Sequence, residues 1–384
     1  MNESTMKIMA NPDVTQEKLR NMPVLELLNA FTDWKVRLSD APFSLSIRES
    51  GEYLLLKYTQ FNSDMSYLSV RESRGSVFRQ NENDEWIYVC RPFDKFFNFN
   101  EEYAATIDWK SAKVTEKIDG SIMKLWFDKD SWHLSTNGKT DAFRAFAGDS
   151  ELTFGGIFER ALGTDIQTLG STLDKSCTYM FELTSAETRI VIGYDDGVYY
   201  LTRRNTKTGE ELFDLPVFTS KAKIRYPRRY DLTNLDDVIE IARDLSRDEE
   251  GFVVNDNNGN RIKVKSPEYL HAAKVHMNGQ VTDKRIFEYI KEEKIDDFLV
   301  YAPQYRCRVK TIQDKIKSTV TYAENEWNRI NKTAYADQKE FAAAIKGHEL
   351  GPFFFLKRRN TSFSALDYLF SITIKKALKL LGLN

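Results

Sequence analysis

The chain has little cysteine and little histidine, three and four residues in 384, and each scarcity removes a class of explanation. Cys90, Cys177 and Cys307 are odd in number and far apart, which suits a reducing compartment better than a disulfide framework. His133, His271, His276 and His348 form no pair at helical or finger spacing, so neither structural zinc nor histidine-based catalysis is expected. No apolar run approaches the ~20 residues that a membrane-spanning helix needs. The segment Met1–Lys7 lacks the charged and then apolar order of a signal peptide, so an intracellular protein is expected. Net charge is only −2, which argues against wholesale coating of nucleic acid. Internal repeats and low-complexity tracts are absent.

What is present allows a large core. Hydrophobic content of 41 %, with 25 Phe and 18 Tyr, supplies it, and 384 residues are enough for two domains. Residues 1–14 read as a flexible tail, after which Thr15 opens an amphipathic helix reaching about Trp34, interrupted at Pro23. Between Phe43 and Lys265, short apolar or alternating runs predict strands at Tyr53–Tyr58, Trp86–Cys90, Ile122–Phe127, Tyr179–Leu183, Val198–Thr202, Gly251–Val254 and Arg261–Lys265, with one helix at Phe154–Gly163. Beyond Lys274 the period is helical, over Asp283–Glu293, Val309–Asn331, Gln338–Gly347 and Ser364–Leu381. The expected fold class is α+β: mostly antiparallel sheets with helices over residues 1–277, then an all-helical domain over 278–384. Charge divides in a similar place. Residues 271–384 carry 20 Lys+Arg against 13 Asp+Glu, net +7, leaving net −9 on residues 1–270. A basic helical end suits a polyanionic partner, although a solvated helix surface would look similar.

The most informative residues are Lys117-Ile118-Asp119-Gly120-Ser121, at a break before the strand-like run Ile122–Phe127. A lysine amine held unprotonated there could attack phosphorus and form a covalent phosphoramidate. The pattern Lys-x-Asp-Gly is weak alone and needs companions. Glu250–Lys265 contains two strands about an Asn- and Gly-rich turn, which predicts a hairpin that folds about Asn258 and sets Lys265 opposite Gly251, beside Glu250. Strand alternation puts Lys263 and Lys265 on one face. On their own they are a solvated face; beside a nucleophilic lysine they would bind phosphate oxygens and favour its neutral form by like-charge proximity. Glu182, in the apolar strand Met180–Leu183, needs a partner such as a ribose hydroxyl or a metal if it faces inward. Arg74 precedes a strand, and Lys95 with Phe97 combines a base and an aromatic suited to phosphate and a stacked adenine.

Lys117-Ile118-Asp119-Gly120-Ser121, Phe181-Glu182, Glu250-Gly251 and Lys263-Val264-Lys265-Ser266 resemble motifs I, III, IV and V of the covalent nucleotidyltransferases, the superfamily of ligases and capping enzymes. Within it, Arg91-Pro92-x-x-Lys95-Phe96-Phe97-Asn98, with Arg74-Gly75 upstream and Arg189-Ile190-Val191 downstream of Glu182, is similar to the bacteriophage RNA ligase 1 family, whose members include ATP-dependent tRNA-repair enzymes. The resemblance covers about residues 20–275. It implies an ATP-grasp-like ligase domain, Lys117 as the nucleophile that carries AMP, and Asp119, Glu182, Glu250, Lys263 and Lys265 as its catalytic companions. It further implies an ATP pocket of Arg74, Lys95, Phe97, Gly120, Glu182, Glu250, Lys263 and Lys265, with Mg²⁺ or Mn²⁺ and Glu250 as a metal ligand. RNA with 5′-phosphate and 3′-hydroxyl ends, nicked tRNA in particular, is the implied partner of a monomeric enzyme that acts away from membranes. Ser121 stands where DNA ligases usually have Arg, which favours RNA. One departure stands out: Asn137, in Ser135–Lys139, replaces the family's motif Ia lysine, and Lys139 is the nearest substitute in sequence. Another covalent nucleotidyltransferase (a DNA ligase or a GTP-using capping enzyme) and a non-catalytic RNA-binding protein are the alternatives.

Overall fold

The computed structural model describes residues 15–59, 62–147, 151–187, 195–246, 248–269, 281–291, 295, 298–299, 302–333, 335, 337–361 and 363–383. The chain divides into two compact units, Met1–His276 and Met277–Asn384.

Among the described residues the strands all lie in the first unit: β1 (Ser46–Ser50), β2 (Tyr53–Lys57), β3 (Arg74–Gln80), β4 (Trp86–Cys90), β5 (Phe97–Asn98), β6 (Lys113–Glu116), β7 (Ser121–Asp128), β8 (Ser131–Ser135), β9 (Cys177–Thr184), β10 (Gly197–Asn205), β11 (Glu211–Leu212), β12 (Ile224–Arg225), β13 (Arg229–Tyr230), β14 (Gly251–Asn255) and β15 (Arg261–Lys265). They form three sheets. The first is β1-β2-β3-β4; the second runs β11-β10-β9-β7-β8 with β12 beside β10; the third runs β13-β6-β14-β15-β5. All pairings are antiparallel except β10 with β12 and β15 with β5. The expected α+β class with a helical second region is what the structure shows.

Local chemistry accounts for the elements that carry the site. The β7–β8 hairpin closes through Lys129 and Asp130, both at positive φ (45° and 65°), the primed turn whose twist matches two antiparallel strands. Between β14 and β15, the fully buried Asp256 accepts from the backbone of Asn258 (2.9 Å) and Asn260 (3.0 Å), from Asn260 Nδ2 (2.9 Å) and from Asp108 N (2.9 Å). One carboxylate therefore holds the turn closed and anchors it to the segment before β6. The second sheet buries Leu125, Tyr179, Phe181 and Leu183 against Ile157 and Phe158 of the helix Phe154–Leu162, which ends at Gly163 in the left-handed region. The first sheet packs on helices Gln16–Asn21, Val24–Ala30 and Trp34–Ser39 through Leu27, Leu28, Leu54, Leu56 and Phe78.

The amphipathic N-terminal helix is broken where Pro23 was expected to interrupt it, and Pro23 becomes the N-cap residue of the second piece. Helix Leu235–Asp244 was not anticipated, although Asn234 caps it by accepting from Asp237 N. In the second unit, Arg306–Asn331 forms one long helix, and the aromatic run Phe353–Phe355 belongs to the helix Gly351–Arg359, with Phe353 and Phe354 buried near Trp327 and Phe341. The helix expected over Ser364–Leu381 is two, Ala365–Ser371 and Ile374–Leu380, because Ile372 turns extended (ψ 165°) between them. Among the described residues no helix is long and apolar enough to cross a membrane. The three cysteines are free.

Replacing Asp256 by Ala leaves the turn donors and Asp108 N without their shared acceptor. Loss of hydrogen bonds to a charged group costs about 1.5–3 kcal/mol for such a contact, so chemical denaturation of Asp256→Ala should show a destabilisation of at least that order. An unchanged midpoint would mean that the hairpin does not depend on this carboxylate.

Candidate active site

The segment Lys117–Gly120 is where the chain leaves one sheet and enters another. Lys117 N donates to Gly251 O at 2.8 Å, extending by one residue the ladder that pairs Glu116 with Phe252. Four residues on, Ser121 pairs with Leu183 and Ile122 with Glu182 in the second sheet. Gly120 sits in the crossing, and a Cβ there would lie 2.5 Å from Leu183 O and 3.0 Å from Glu182 Cγ. Any side chain would push β7 away from β9. Gly251 has φ +135°, and a Cβ on it would meet Val264 O at 2.2 Å, so both glycines are required by close approach of backbones.

These constraints bring three predicted residues into contact. Lys117 Nζ donates to Glu250 Oε2 at 2.6 Å, and Lys265 Nζ lies 3.1 Å from Glu250 Oε1. The Glu250 side chain is 3 % exposed, that of Lys265 5 % and that of Lys117 19 %, so Lys117 is the most open of the three. The hairpin has the expected register, with Gly251 opposite Lys265 and Val253 opposite Lys263. The electrostatics differ from the expectation. Lys117 is not simply crowded by lysines; a buried carboxylate lies between it and Lys265, one oxygen for each ammonium. In this state Lys117 is a charge-assisted donor, and its proton must leave before the nitrogen can act as a nucleophile.

Glu182, half-buried on β9, faces the same group. Burial pushes its carboxyl up to about 7; the charges of Lys117 and Arg74 oppose the rise, and those of Glu250 and Asp119 add to it. Asp119 is 5 % exposed. Arg74 lies over Phe93 (4.7 Å) and Phe96 (5.4 Å), and its Nη1 is buried with no hydrogen-bond partner among the described residues. A buried guanidinium donor is costly to leave unpaired, which fits a ligand oxygen at that position. Lys263 lies 5.1 Å from the centre of the Phe96 ring. On β5, Phe97 pairs in parallel with Ile262 and Asn98 with Lys263, which sets Phe97 beside the strand that carries Lys263 and Lys265. Lys95 lies over Phe97 (5.7 Å) and Tyr58 (5.2 Å). Phe97 is itself 8 % exposed, with Tyr103 5.7 Å away.

Glu250 was also expected to bind metal. Both of its oxygens are engaged by ammoniums, and among the described residues no group of three His, Cys, Asp or Glu side chains could hold a metal ion. Arg189-Ile190-Val191 lie outside the described residues. Two features escaped the sequence reading. Arg261 lies over Phe93 (4.8 Å) and Phe96 (5.6 Å) and pairs with Glu211, completing a set of cations around two phenylalanines. Lys124, inside the apolar run of β7, is fully buried; a lysine within a buried strand was the available signal, since such a group survives only with partners.

The sequence model of a family described as RNA ligase matches residues 72–269. Among curated proteins, the chain is 33 % identical to a putative bifunctional polynucleotide kinase/RNA ligase of Autographa californica nuclear polyhedrosis virus, over 71 % of this chain and 41 % of that protein. It thus spans about two fifths of that relative's length. An RNA ligase of Rhodothermus phage RM378 is 22 % identical over 83 % of this chain and 84 % of its own length, and RNA ligase 1 of Bacteriophage TS2126 is 26 % identical over 69 % and 67 %.

The shifted Glu182 carboxyl ties stability to pH. Raised from 4.5 to about 7, it contributes stability that is fully present below its unfolded value and is lost as pH rises to about 7. Glu72, also raised to about 7 by burial, adds a fall of the same sign in any variant that keeps it. Thermal unfolding of the wild type should therefore weaken more between pH 4.5 and 7 than that of Glu182→Gln, and the difference between the two curves isolates Glu182. Parallel curves would place Glu182 in an ordinary solvated setting.

Proposed function

We propose that this chain, which belongs to the RNA ligase family, is an ATP-dependent ligase that joins RNA 5′-phosphate and 3′-hydroxyl ends. The observation that carries the reading is the grouping of Lys117 and Lys265 about the Glu250 carboxylate, each within 3.1 Å of one of its oxygens, with Glu182 under the charges of both Lys117 and Arg74 and Arg74 Nη1 buried without a partner among the described residues. In the first step the Lys117 nitrogen attacks the α-phosphorus of ATP, the bond to the β-phosphate oxygen breaks, and pyrophosphate leaves. Glu250, already bonded to the Lys117 ammonium, is placed to take its proton. In the second step an oxygen of the RNA 5′-phosphate attacks the lysyl-AMP phosphorus and releases the lysine. In the third, the 3′-hydroxyl attacks the 5′-phosphorus, forming the phosphodiester and releasing AMP.

The remaining assignments extend the family resemblance to the residues around this group. Lys265 and Lys263 hold the α-phosphate, Arg74 and Lys95 meet ribose or phosphate oxygens, Glu182 accepts from a ribose hydroxyl, and Phe97 stacks on adenine. Gly120 lets the backbone approach the nucleotide. Asp119 adds to the negative field around Glu182. Mg²⁺ or Mn²⁺ would neutralise the triphosphate of the substrate, with Glu250 as its proposed protein ligand. A site built of fixed charges suits phosphoryl-type chemistry, in which positioning and electrostatic stabilisation dominate.

We assign the helical unit to RNA, nicked tRNA in particular, for a monomeric enzyme working in the cytoplasm. Lys375, Lys376 and Lys379 are all exposed on the helix Ile374–Leu380. In the run Lys357-Arg358-Arg359, by contrast, Lys357 pairs with Glu324 at 2.8 Å and Arg358 lies over Phe341 at 4.4 Å, so those two are partly committed within the unit.

Lys117→Ala should abolish transfer of label from α-labelled ATP to protein while leaving sealing of pre-adenylated RNA measurable, since only the first two steps need the amine. Equal loss of both activities would make Lys117 structural, and label from GTP in place of ATP would favour a capping enzyme.

Replacing Lys375, Lys376 and Lys379 together by Ala should weaken RNA binding and make its salt dependence shallower. Each phosphate contact on a single strand contributes about 0.7 to the slope of log K against log salt, so the slope should fall by up to about 2. An unchanged slope would mean that this helix does not meet RNA.

A further inference from the structure

Lys124 is fully buried on β7, and its ammonium joins two other parts of the fold. It donates to Gly75 O at 2.7 Å and lies 3.4 Å from Asn137 Oδ1. Gly75 is the extra residue of a β-bulge: Leu56 pairs with Ser76 and Lys57 with Arg74, so Gly75 is skipped. Its φ is +76°, and a Cβ on it would lie 2.3 Å from Lys124 Nζ and 2.7 Å from Asn137 O. The ammonium thus fills the space that a side chain at Gly75 would take. Bulges re-aim the residue beside them, and the residue beside this one is Arg74. That guanidinium stacks over Phe93 and Phe96, acts on the Glu182 carboxyl through its charge, and keeps a buried Nη1 with no partner among the described residues. A buried ammonium is tolerated only when it is well bonded, so the bulge and the turn at Asn137 are held as tightly as the charge requires.

We propose that Lys124 is a positioning residue for adenylation: from β7 it clamps the Gly75 bulge to the Asn137 turn and so aims Arg74 at the nucleotide, with its ammonium against the residue that occupies the motif Ia lysine position. The role rests on the reading of the pocket as an ATP site. The Lys139 backbone closes the local turn with Thr136. Ser135 lies directly across the ladder from Lys124, so an ammonium carried by residue 137 would approach the same cavity from the adjoining strand end.

The test compares wild type, Lys124→Met, Asn137→Lys and the double variant for the rate and ATP dependence of protein labelling from α-labelled ATP, with thermal unfolding recorded for each. Wild type must form the adduct first, and its failure to do so would count against the ligase reading itself. Given the adduct, Lys124→Met should slow labelling at least tenfold and raise the ATP concentration at half-maximal rate, and the double variant should recover most of the loss. Asn137→Lys alone, with two ammoniums in one cavity, should be less stable than wild type. Arg74→Ala provides the second readout: in that background Lys124→Met should add little, because Lys124 acts through Arg74. Wild-type labelling by Lys124→Met, or losses from Arg74→Ala and Lys124→Met that simply multiply, would overturn the proposal.

Discussion

Glu250 holds two ammoniums from different places in the chain, Lys117 from the crossing between sheets and Lys265 from the end of a hairpin, with one oxygen for each. Removing one partner of such a buried pair typically costs about 3–5 kcal/mol because the remaining charge is left uncompensated. The arrangement therefore fixes the ends of β6, β14 and β15 relative to one another more firmly than their short ladders would. It also sets the chemical starting point. Lys117 is held as a donor, and on the proposed reading a triphosphate bound by Lys265 would compete directly with the carboxylate that orders it. In this account the resting ion pairs and the reactive state are alternatives, and the nucleotide decides between them.

The two glycines flanking these charges show how the backbone serves the site. Gly120 lets β7 begin directly against β9, which places Glu182 beside the Lys117 group; Gly251 lets β14 start where an added Cβ would lie only 2.2 Å from Val264 O. Each wall of the pocket comes from a different sheet. Lys117, Glu250, Lys263 and Lys265 belong to or adjoin the third sheet, Glu182 belongs to the second, and Arg74 arrives from the first at a bulge. Polar groups concentrated where three sheets meet can be preorganised by rigid strands, which is what stabilisation of a spreading phosphoryl charge calls for.

Much of this was legible in the residues. The Asn258-Gly259 turn and strand alternation predicted the pairing of Gly251 with Lys265, because that feature depends on local period and turn chemistry; Glu182 in an apolar strand marked a candidate, but the residues alone left it equally free to face outward. Long-range geometry was not legible. That Glu250 would lie between Lys117 and Lys265 depends on residues 133 positions apart in sequence, and strand patterns do not specify which charges meet. The helix Leu235–Asp244 was hidden by its polar composition despite its Asn234 cap, and the break at Ile372 carries neither Gly nor Pro to mark it. Lys124 was visible only as an anomaly; its partners, Gly75 and Asn137, became apparent once three strands were assembled.

On the proposed mechanism Lys117 carries the adenylate. Its most direct measurement is mass spectrometry of the full-length protein after incubation with ATP and Mg²⁺, followed by peptide mapping under conditions that preserve an acid-labile phosphoramidate. The account predicts one adenylate per chain, located on Lys117 and removed by added pyrophosphate. An adduct mapped to a different lysine, or none on protein that binds ATP, would contradict it.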